Sequence, residues 1–566
     1  MNKINKIVVV GGGSAGWMTA ATLITAFPDK NIHVIESKDV PIIGVGESTL
    51  GGIRNWTRFI GLDEQSFFKI TDASYKMSIK FTDFYKKDAG GFQYPFGIPY
   101  RPNDEVNPLS DWHIKKYFNP DTPVQDFAEC LFPSCALLEN NKYSNNLNGE
   151  FDNFDSENDV AYHFDAVKFG NWLREYVCIP RGVNHIISTV KDITVDSNGI
   201  EKLILEDDNV VTADLFVDCT GFKSLLLAGA LEEPFNSFAE MLPNNKAWAT
   251  RLPYKDRSKE LEGFTNSTAI GNGWCWNIPL WSRLGTGYVY SDKFITKEQA
   301  LEEFKEYLMS DKMVIPRTKD EVDALEYREI TMRVGIHERT FVKNVVGIGL
   351  AAGFIEPLES NGLFSVHEFL FKLVDILQRG EISQFDRDMY NVSVNDLFTN
   401  FAKFVALHYA LSHRDDTEYW RAIKNKSFTG LDGDPYVPYR SRTDSFYDMT
   451  YRYMEEWGHS FGLAGIPYIA TGLNLNMMNS RRIDNMEYRF KTDMKEEIAS
   501  IVDHWEMKKE MWNKFAEKCP TLEEYLNNTF YNEDLGEVTA DKKENTASKI
   551  VYDPSSQKSY ISMRRN

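Results

Sequence analysis

The chain has 566 residues, 42% hydrophobic and 13% aromatic, enough for one large core or two fused lobes. Its 83 acidic against 63 basic residues give a formal charge of -20, a surface that repels polyphosphate backbones and anionic lipid and argues against nucleic acid and membrane partners. No run approaches the roughly 18 apolar residues of a membrane span. The start, MNKINKIVVVGGG, enters a strand with no signal pattern, and six scattered cysteines (Cys130, Cys135, Cys178, Cys219, Cys275, Cys519) read as reduced thiols. A cytoplasmic protein without a metal centre is expected.

Residues Ile7 to Val10 form an apolar, β-branched run that ends in Gly11-Gly12-Gly13-Ser14-Ala15-Gly16, and Trp17 to Phe27 has helical composition. A second run, Ile32 to Ile35, ends on Glu36 and completes a βαβ unit. Gly11 makes the tight turn, Gly13 lets a pyrophosphate approach the backbone, and Gly16 allows close helix packing. Ser14 and Ala15 open the helix whose N-terminus faces the phosphates, and Glu36 is placed to accept ribose hydroxyls. NAD and FAD both satisfy this unit.

From Ser74 to Phe81 the pattern alternates, predicting one amphipathic strand with Tyr75, Met77, Ile79 and Phe81 on one face and Lys76, Ser78 and Lys80 on the other. A lysine on such a face is usually a solvated charge. Residues 84 to 160, rich in Pro, Asn, Asp and aromatics, read as an inserted lobe of long loops and short elements. Ala213 to Gly221 is a buried strand ending at a glycine turn, followed by a strand-and-loop stretch to about 345. Val345 to Ala352 reads as another buried strand. Asn361 to about Leu411 turns helical, with further helical signals between 483 and 528 and a loosely held polar tail after about 530.

Four segments carry a resemblance: Gly11 to Trp17 (GGGSAGW), Ile42 to Thr49 (IIGVGEST), Trp274 to Pro279 (WCWNIP) and Phe354 to Gly362 (FIEPLESNG). With them the sequence resembles the flavin-dependent halogenases, especially the tryptophan halogenase group, from Lys6 to about Gly465. The resemblance implies an α/β fold: a glutathione-reductase-like, Rossmann-type FAD lobe with mixed β-sheets (about 1–83, 160–230 and 335–375) and a largely helical substrate lobe from the middle insertions and 376–530. Residues 1–530 then form a single module, and 531–566 the tail. The cofactor implied is FAD, held by Gly11, Gly13, Ser14, Ala15, Gly16 and Glu36, by the strap residues Gly46, Glu47 and Ser48, and by a flavin-contacting turn at Gly349 and Leu350. Only one dinucleotide site is visible, so FADH2 is expected from a separate flavin reductase.

In the family a lysine steers hypohalous acid to the substrate. Lys76 matches it, with Lys80 as a rival on the same face. Glu359 matches the glutamate that assists electrophilic attack and takes the ring proton. Glu356, beside a proline turn opening a helix, reads as a cap or dipole partner. Trp274 and Trp276 match residues that keep substrate from the flavin, Phe96 with Gly97 fits the aromatic wall of the pocket, and Trp457, in a segment that aligns poorly, is grouped with the same partition. The halide pair, Thr-Gly in the family, is Asn361-Gly362, which leaves bromide and iodide open beside chloride. Tyr94 stands where tryptophan halogenases carry histidine, and Arg452 falls near the glutamate that grips the substrate ammonium. Both departures argue against free tryptophan and for an indole, phenol or other heteroaromatic. Family members are commonly homo-oligomers. The rival readings are an aromatic flavin monooxygenase and a non-catalytic flavoprotein.

Overall fold

The computed structural model describes residues 4–38, 46–100, 112, 115–116, 119–147, 149–151, 153–430, 465–474 and 495–532. Trp457, Arg452, the segment 483–494 and the tail from 533 lie outside them.

The β-branched run at the start forms the strand Lys6–Val10, flanked by Asn31–Glu36 and Leu215–Asp218, with Asn184–Ile187 and Val345–Gly347 beyond, all parallel. Phe341–Val342 adds an antiparallel edge to this six-stranded sheet. Ile7, Val8 and Val9 are fully buried, as expected of a parallel sheet covered on both faces. The helix Ser14–Ala26 lies across it through Trp17, Met18, Ala21 and Leu23. The strand expected over Val345 to Ala352 ends at Gly347. Gly349, at φ +67°, turns the chain into a short helical turn, Gly349–Ala351.

A seven-stranded sheet carries Phe264–Ile270, Gly273–Pro279 and Arg283–Tyr290 at its centre, with Ser78–Thr82 and Gly91–Pro95 on one side. A small sheet joins Glu47–Ser48, Ala161–Phe164 and Ser74–Lys76. The segment Ser74 to Phe81 is therefore two strands, not one. Met77 breaks it: its N–H donates to Gly263 O at 2.8 Å and its carbonyl accepts from Phe96 N at 2.9 Å. The chain passes from the small sheet to the large one at that residue, so alternation across it does not predict a solvent face. Lys76 is fully buried, and Lys80 sits elsewhere, its Nζ 5.4 Å from the Phe264 ring centroid.

The stretch before residue 345 also holds the helix Lys297–Met309, which buries Ala300, Phe304, Tyr307 and Leu308. Its signal was a capping box: Thr296 accepts from Gln299 N, and Gln299 answers to Thr296 N. The helices Gly362–Leu377 and Gln384–Ala410 fill the region read as helical, as do Lys495–Ala516 and Leu522–Leu526 further on. The described residues extend to 532. Tyr531 stacks on Trp281 with centroids 4.0 Å apart, and its hydroxyl donates to the carbonyls of Phe68 and Ala73. Among the described residues no helix is long and apolar enough to cross a membrane.

Candidate active site

At the glycine turn, Gly11 has φ +114°, and a Cβ on Gly16 would stand 1.8 Å from Gly11 O. Gly13, by contrast, has nothing within 4 Å of its missing Cβ. The helix that follows has no side-chain cap at Gly13 and no acidic residue in its first turn. Its amide end stays open to an anion, which fits the pyrophosphate of a dinucleotide. Glu36 Oε2 is 2.9 Å from His185 Nε2, and its Oε1 packs against Gly12. Gly349 meets Ala15, whose Cβ would be 2.8 Å from a Cβ at that glycine, so the turn at Gly349 and Leu350 closes on the start of the first helix. The glycine turn, Glu36 and the turn at Gly349 thus converge at one end of the parallel sheet.

The strap and the paired-tryptophan strand meet at Gly46, whose missing Cβ would lie 3.2 Å from Ile278 Cγ2. Glu47 pairs with Phe164 and Ser48 with His163. Burial, with Asp165 adding to it, pushes the Glu47 carboxyl up to about 7. All seven residues of Gly273–Pro279 are buried. Trp274 and Trp276 share one face, ring centroids 6.3 Å apart, and Gly287 makes room for Trp276, since a Cβ there would stand 2.2 Å from the indole.

Lys76 is fully buried at the end of its short strand. Its ammonium donates to Thr49 O at 2.9 Å and Ser360 Oγ at 2.8 Å, and lies 5.1 Å from the Phe96 ring centroid. Burial lowers its affinity for a proton well below that of an ordinary lysine, and Glu359 opposes the shift. Ser360 holds a left-handed backbone, φ 56°, at the end of the Pro357–Glu359 turn. That conformation disfavours a residue with a side chain, and here it aims the Ser360 hydroxyl at the lysine.

Glu359 is buried, and its Oε1 lies 2.7 Å from His408 Nε2. His408 comes from the helix Gln384–Ala410, where its Nδ1 faces Phe404 O at 2.9 Å. A carbonyl only accepts, so Nδ1 carries a hydrogen, and one further proton is shared between Nε2 and Oε1. No signal in the sequence pointed to His408, a lone histidine on an apolar helix. Tyr94 stacks on Tyr468 (5.9 Å, 24°) and meets Phe404 edge-on at 6.4 Å. Asn361 sits at the N-terminal boundary of the helix Gly362–Leu377 without a capping hydrogen bond, buried, with Oδ1 unbonded, while Gly362 is exposed with nothing within 4 Å of its missing Cβ.

Glu356 is not a cap. It makes no capping hydrogen bond and is fully buried, its Oε2 accepting from Asn244 Nδ2 at 2.7 Å and Trp274 Nε1 at 3.3 Å. Asn244 in turn meets the hydroxyls of Tyr409 and Tyr419. Glu356 therefore holds the first tryptophan of the pair, while Glu359, three residues on, points to His408.

The family model for tryptophan halogenase matches residues 6–430. The chain belongs to the tryptophan halogenase family. It is 34% identical over 441 residues to the 7-chloro-L-tryptophan 6-halogenase KtzR of Kutzneria sp. (strain 744), covering 74% of this chain and 82% of that one. It is 33% identical over 446 residues to the tryptophan 7-halogenase RebH of Lentzea aerocolonigenes, covering 76% and 80%. Among solved structures, the apo form of VirX1 superposes with a TM-score of 0.84 at 33% identity, over 94% of this halogenase and 100% of that chain. The tryptophan 6-halogenase SttH from Streptomyces toxytricini gives 0.77 at 29% identity, over 92% and 99%. The expected mixed α/β architecture with a Rossmann-type FAD-binding fold is the fold of these halogenases.

All six cysteines are free and buried. Away from the tryptophan strand, Asp126, Cys130 and Glu506 of this halogenase converge, but Lys115 Nζ fills their centre, 2.7 Å from Asp126 Oδ2 and bonded to Glu506. Lys509 adds a second ammonium at 2.5 Å from Asp126 Oδ1. The cluster is an ion-pair knot tying the helix Lys495–Ala516 to the inserted lobe.

Proposed function

We propose that this halogenase installs a halogen on an electron-rich aromatic, an indole, phenol or other heteroaromatic in preference to free tryptophan, using FADH2 from a separate flavin reductase, oxygen and halide. The chemistry that reduced FAD supplies when bound is the oxidation of halide by oxygen to hypohalous acid. The chain's own residues do the rest. Gly11, Gly13, Ser14, Ala15, Gly16, Glu36, the strap Gly46, Glu47 and Ser48, and the turn Gly349-Leu350 hold the cofactor, and the amides at Asn361-Gly362 receive the halide. Trp274 and Trp276, with Phe96 and Trp457, keep the organic substrate from the flavin.

The observation that carries this reading is Lys76: a buried ammonium, fixed by two acceptors, beside an aromatic ring and within electrostatic reach of Glu359. Such a group directs hypohalous acid, by hydrogen bond or as a haloamine, at a ring held in one orientation. Glu359 stabilises the cationic ring intermediate and takes its proton, with His408 to share it. Tyr94, set among Tyr468 and Phe404, offers stacking surface rather than a partner for an amino acid backbone.

Mass spectrometry of an indole and phenol panel, incubated with FAD, a generic reductase, NADH, oxygen and one halide at a time, tests the proposal. Enzyme-dependent halogenated product supports it and ranks the halides. Substrate that gains oxygen without needing halide would establish a monooxygenase instead.

A further inference from the structure

Behind Lys76 runs an unbroken chain of buried side chains in which only Ser48, through its place in the strap, already has a role above. Ser360 Oγ, which accepts from Lys76 Nζ at 2.8 Å, lies 3.0 Å from Ser48 Oγ. Ser48 Oγ lies 2.6 Å from Thr265 Oγ1, and Thr265 Oγ1 lies 2.8 Å from His163 Nε2. On the far side His163 Nδ1 is 3.4 Å from Ser74 Oγ, which donates to Pro279 O at 2.5 Å. Each of these residues is at most 8% exposed. They come from five separate pieces of chain: the strap, the strand at 74, the strand at 163, the large sheet, and the turn after Glu359.

The carbonyl at one end and a neutral imidazole fix the direction of every hydrogen in between. Ser74 spends its one hydrogen on Pro279 O, so His163 Nδ1–H points to Ser74. With the imidazole neutral, Nε2 accepts from Thr265, Thr265 then accepts from Ser48, Ser48 from Ser360 and Ser360 from Lys76, since each hydroxyl has one hydrogen to give. Neutral His163 thus stands with an acceptor nitrogen at the end of a one-way line of donors that starts at Lys76. Burial and the nearby lysine keep it neutral, and a hydrogen bond to the Pro279 carbonyl works against them.

We propose that Ser360, Ser48 and Thr265 form a proton relay between Lys76 and His163, through which the lysine sheds a proton to react and recovers it to deliver halogen. The inference rests on the steering role given to Lys76 above. In the forward hop, the ammonium gives a proton to Ser360, each hydroxyl passes its own along, and His163 Nε2 receives one; an amine and an imidazolium result, with charge conserved. The amine nitrogen attacks the halogen of hypohalous acid. An N–halogen bond forms, the O–halogen bond breaks, and the departing hydroxide takes one amine proton to leave as water. The reverse hop protonates the haloamine, so that when the ring's electron pair takes the halogen, the nitrogen keeps the N–halogen pair and leaves as a neutral amine. The ring proton goes to Glu359. Ser48, Thr265 and His163 are positioning residues in this scheme, since none of them touches substrate.

The relay has a test that does not need turnover. In the flavin-free full-length protein, with labelled lysine Cε and histidine ring nitrogens, NMR titration follows Lys76 and His163 together; Lys76→Met and His163→Gln assign the signals. Glu359 is the carboxylate bearing on Lys76, and Lys76 the charge bearing on His163. In the wild type the two residues respond to each other's protonation, and Thr265→Val or Ser48→Ala, each removing one hydroxyl, shifts the Lys76 midpoint and uncouples the pair. An unchanged Lys76 titration in both variants overturns the relay. In turnover, the same variants should lower kcat tenfold or more at unchanged KM for the aromatic and alter the solvent deuterium isotope effect. Wild-type kcat and isotope effect in both would likewise overturn it. If Lys76→Ala still made product, the steering role would fall by itself, and the titration would decide the relay separately.

Discussion

Glu359 Oε1 and His408 Nε2 face each other at 2.7 Å, with the other imidazole nitrogen committed to Phe404 O. The pair holds one proton between two buried acceptors, which suits a site that must take a proton from a cationic ring and hand it on. Glu359→Gln should lower kcat by roughly the 10² to 10⁴ of a positioned acid-base group. His408→Phe should cost about 10²-fold, at the lower end of that range, with KM for the aromatic little changed. Steady-state kinetics on both variants check this; wild-type kcat in Glu359→Gln would remove the glutamate from the chemistry.

Glu356 serves the tryptophan strand. Glu356→Ala leaves the Trp274 indole N–H without its buried acceptor, a loss of about 1–3 kcal/mol for a group stranded away from water, and the Asn244 amide with only the Tyr409 and Tyr419 hydroxyls. Burial raises its carboxyl above the ordinary range, against hydrogen bonds from Asn244, Tyr409 and Trp274. Glu356→Gln keeps an acceptor oxygen and should retain most of the stability. Urea unfolding of both variants measures the difference, and equal losses would speak against the hydrogen-bond account.

The glycine turn, the strap, the tryptophan pair, Lys76 and Glu359 stand out in the sequence as candidates because each lies within a short segment. What the sequence concealed depends on contacts between distant segments. The alternation from Ser74 to Phe81 suggested a solvated lysine face, but Met77 hands the chain from one sheet to another and Lys76 ends up buried. His408 reaches Glu359 from a helix 49 residues further on. His163 is central to the hydroxyl chain only because its strand pairs with Ser48 on one side and Ser74 on the other. Glu356 looked like a helix-start acid until the fold enclosed it.

Glu47 makes the stability pH-dependent. Its carboxyl is raised from the ordinary 4.5 to about 7, so between those values the folded chain binds more protons than the unfolded one. Its contribution is therefore fully favourable below about pH 4.5 and is lost as pH rises through about 7. Urea midpoints across pH 5 to 8 should fall less steeply in Glu47→Gln than in the wild type, and parallel curves would assign the slope to other groups.

Asn361 bears on the halide. Its buried, unbonded Oδ1 presents a partial negative charge beside the helix N-terminus at Gly362. Asn361→Thr, which restores the family pair, should raise chloride use relative to bromide by several-fold in competition assays. An unchanged product ratio would place halide selection elsewhere.

The most direct test of the account is the yield of halogenated product per flavin oxidised in Lys76→Ala beside the wild type, with one accepted aromatic and one halide. Because the lysine acts after hypohalous acid forms, the variant should oxidise FADH2 at the wild-type rate and give no enzyme-directed halogenated product. Product at the wild-type yield would contradict the account, since halogen would then reach the ring without the buried ammonium proposed to carry it.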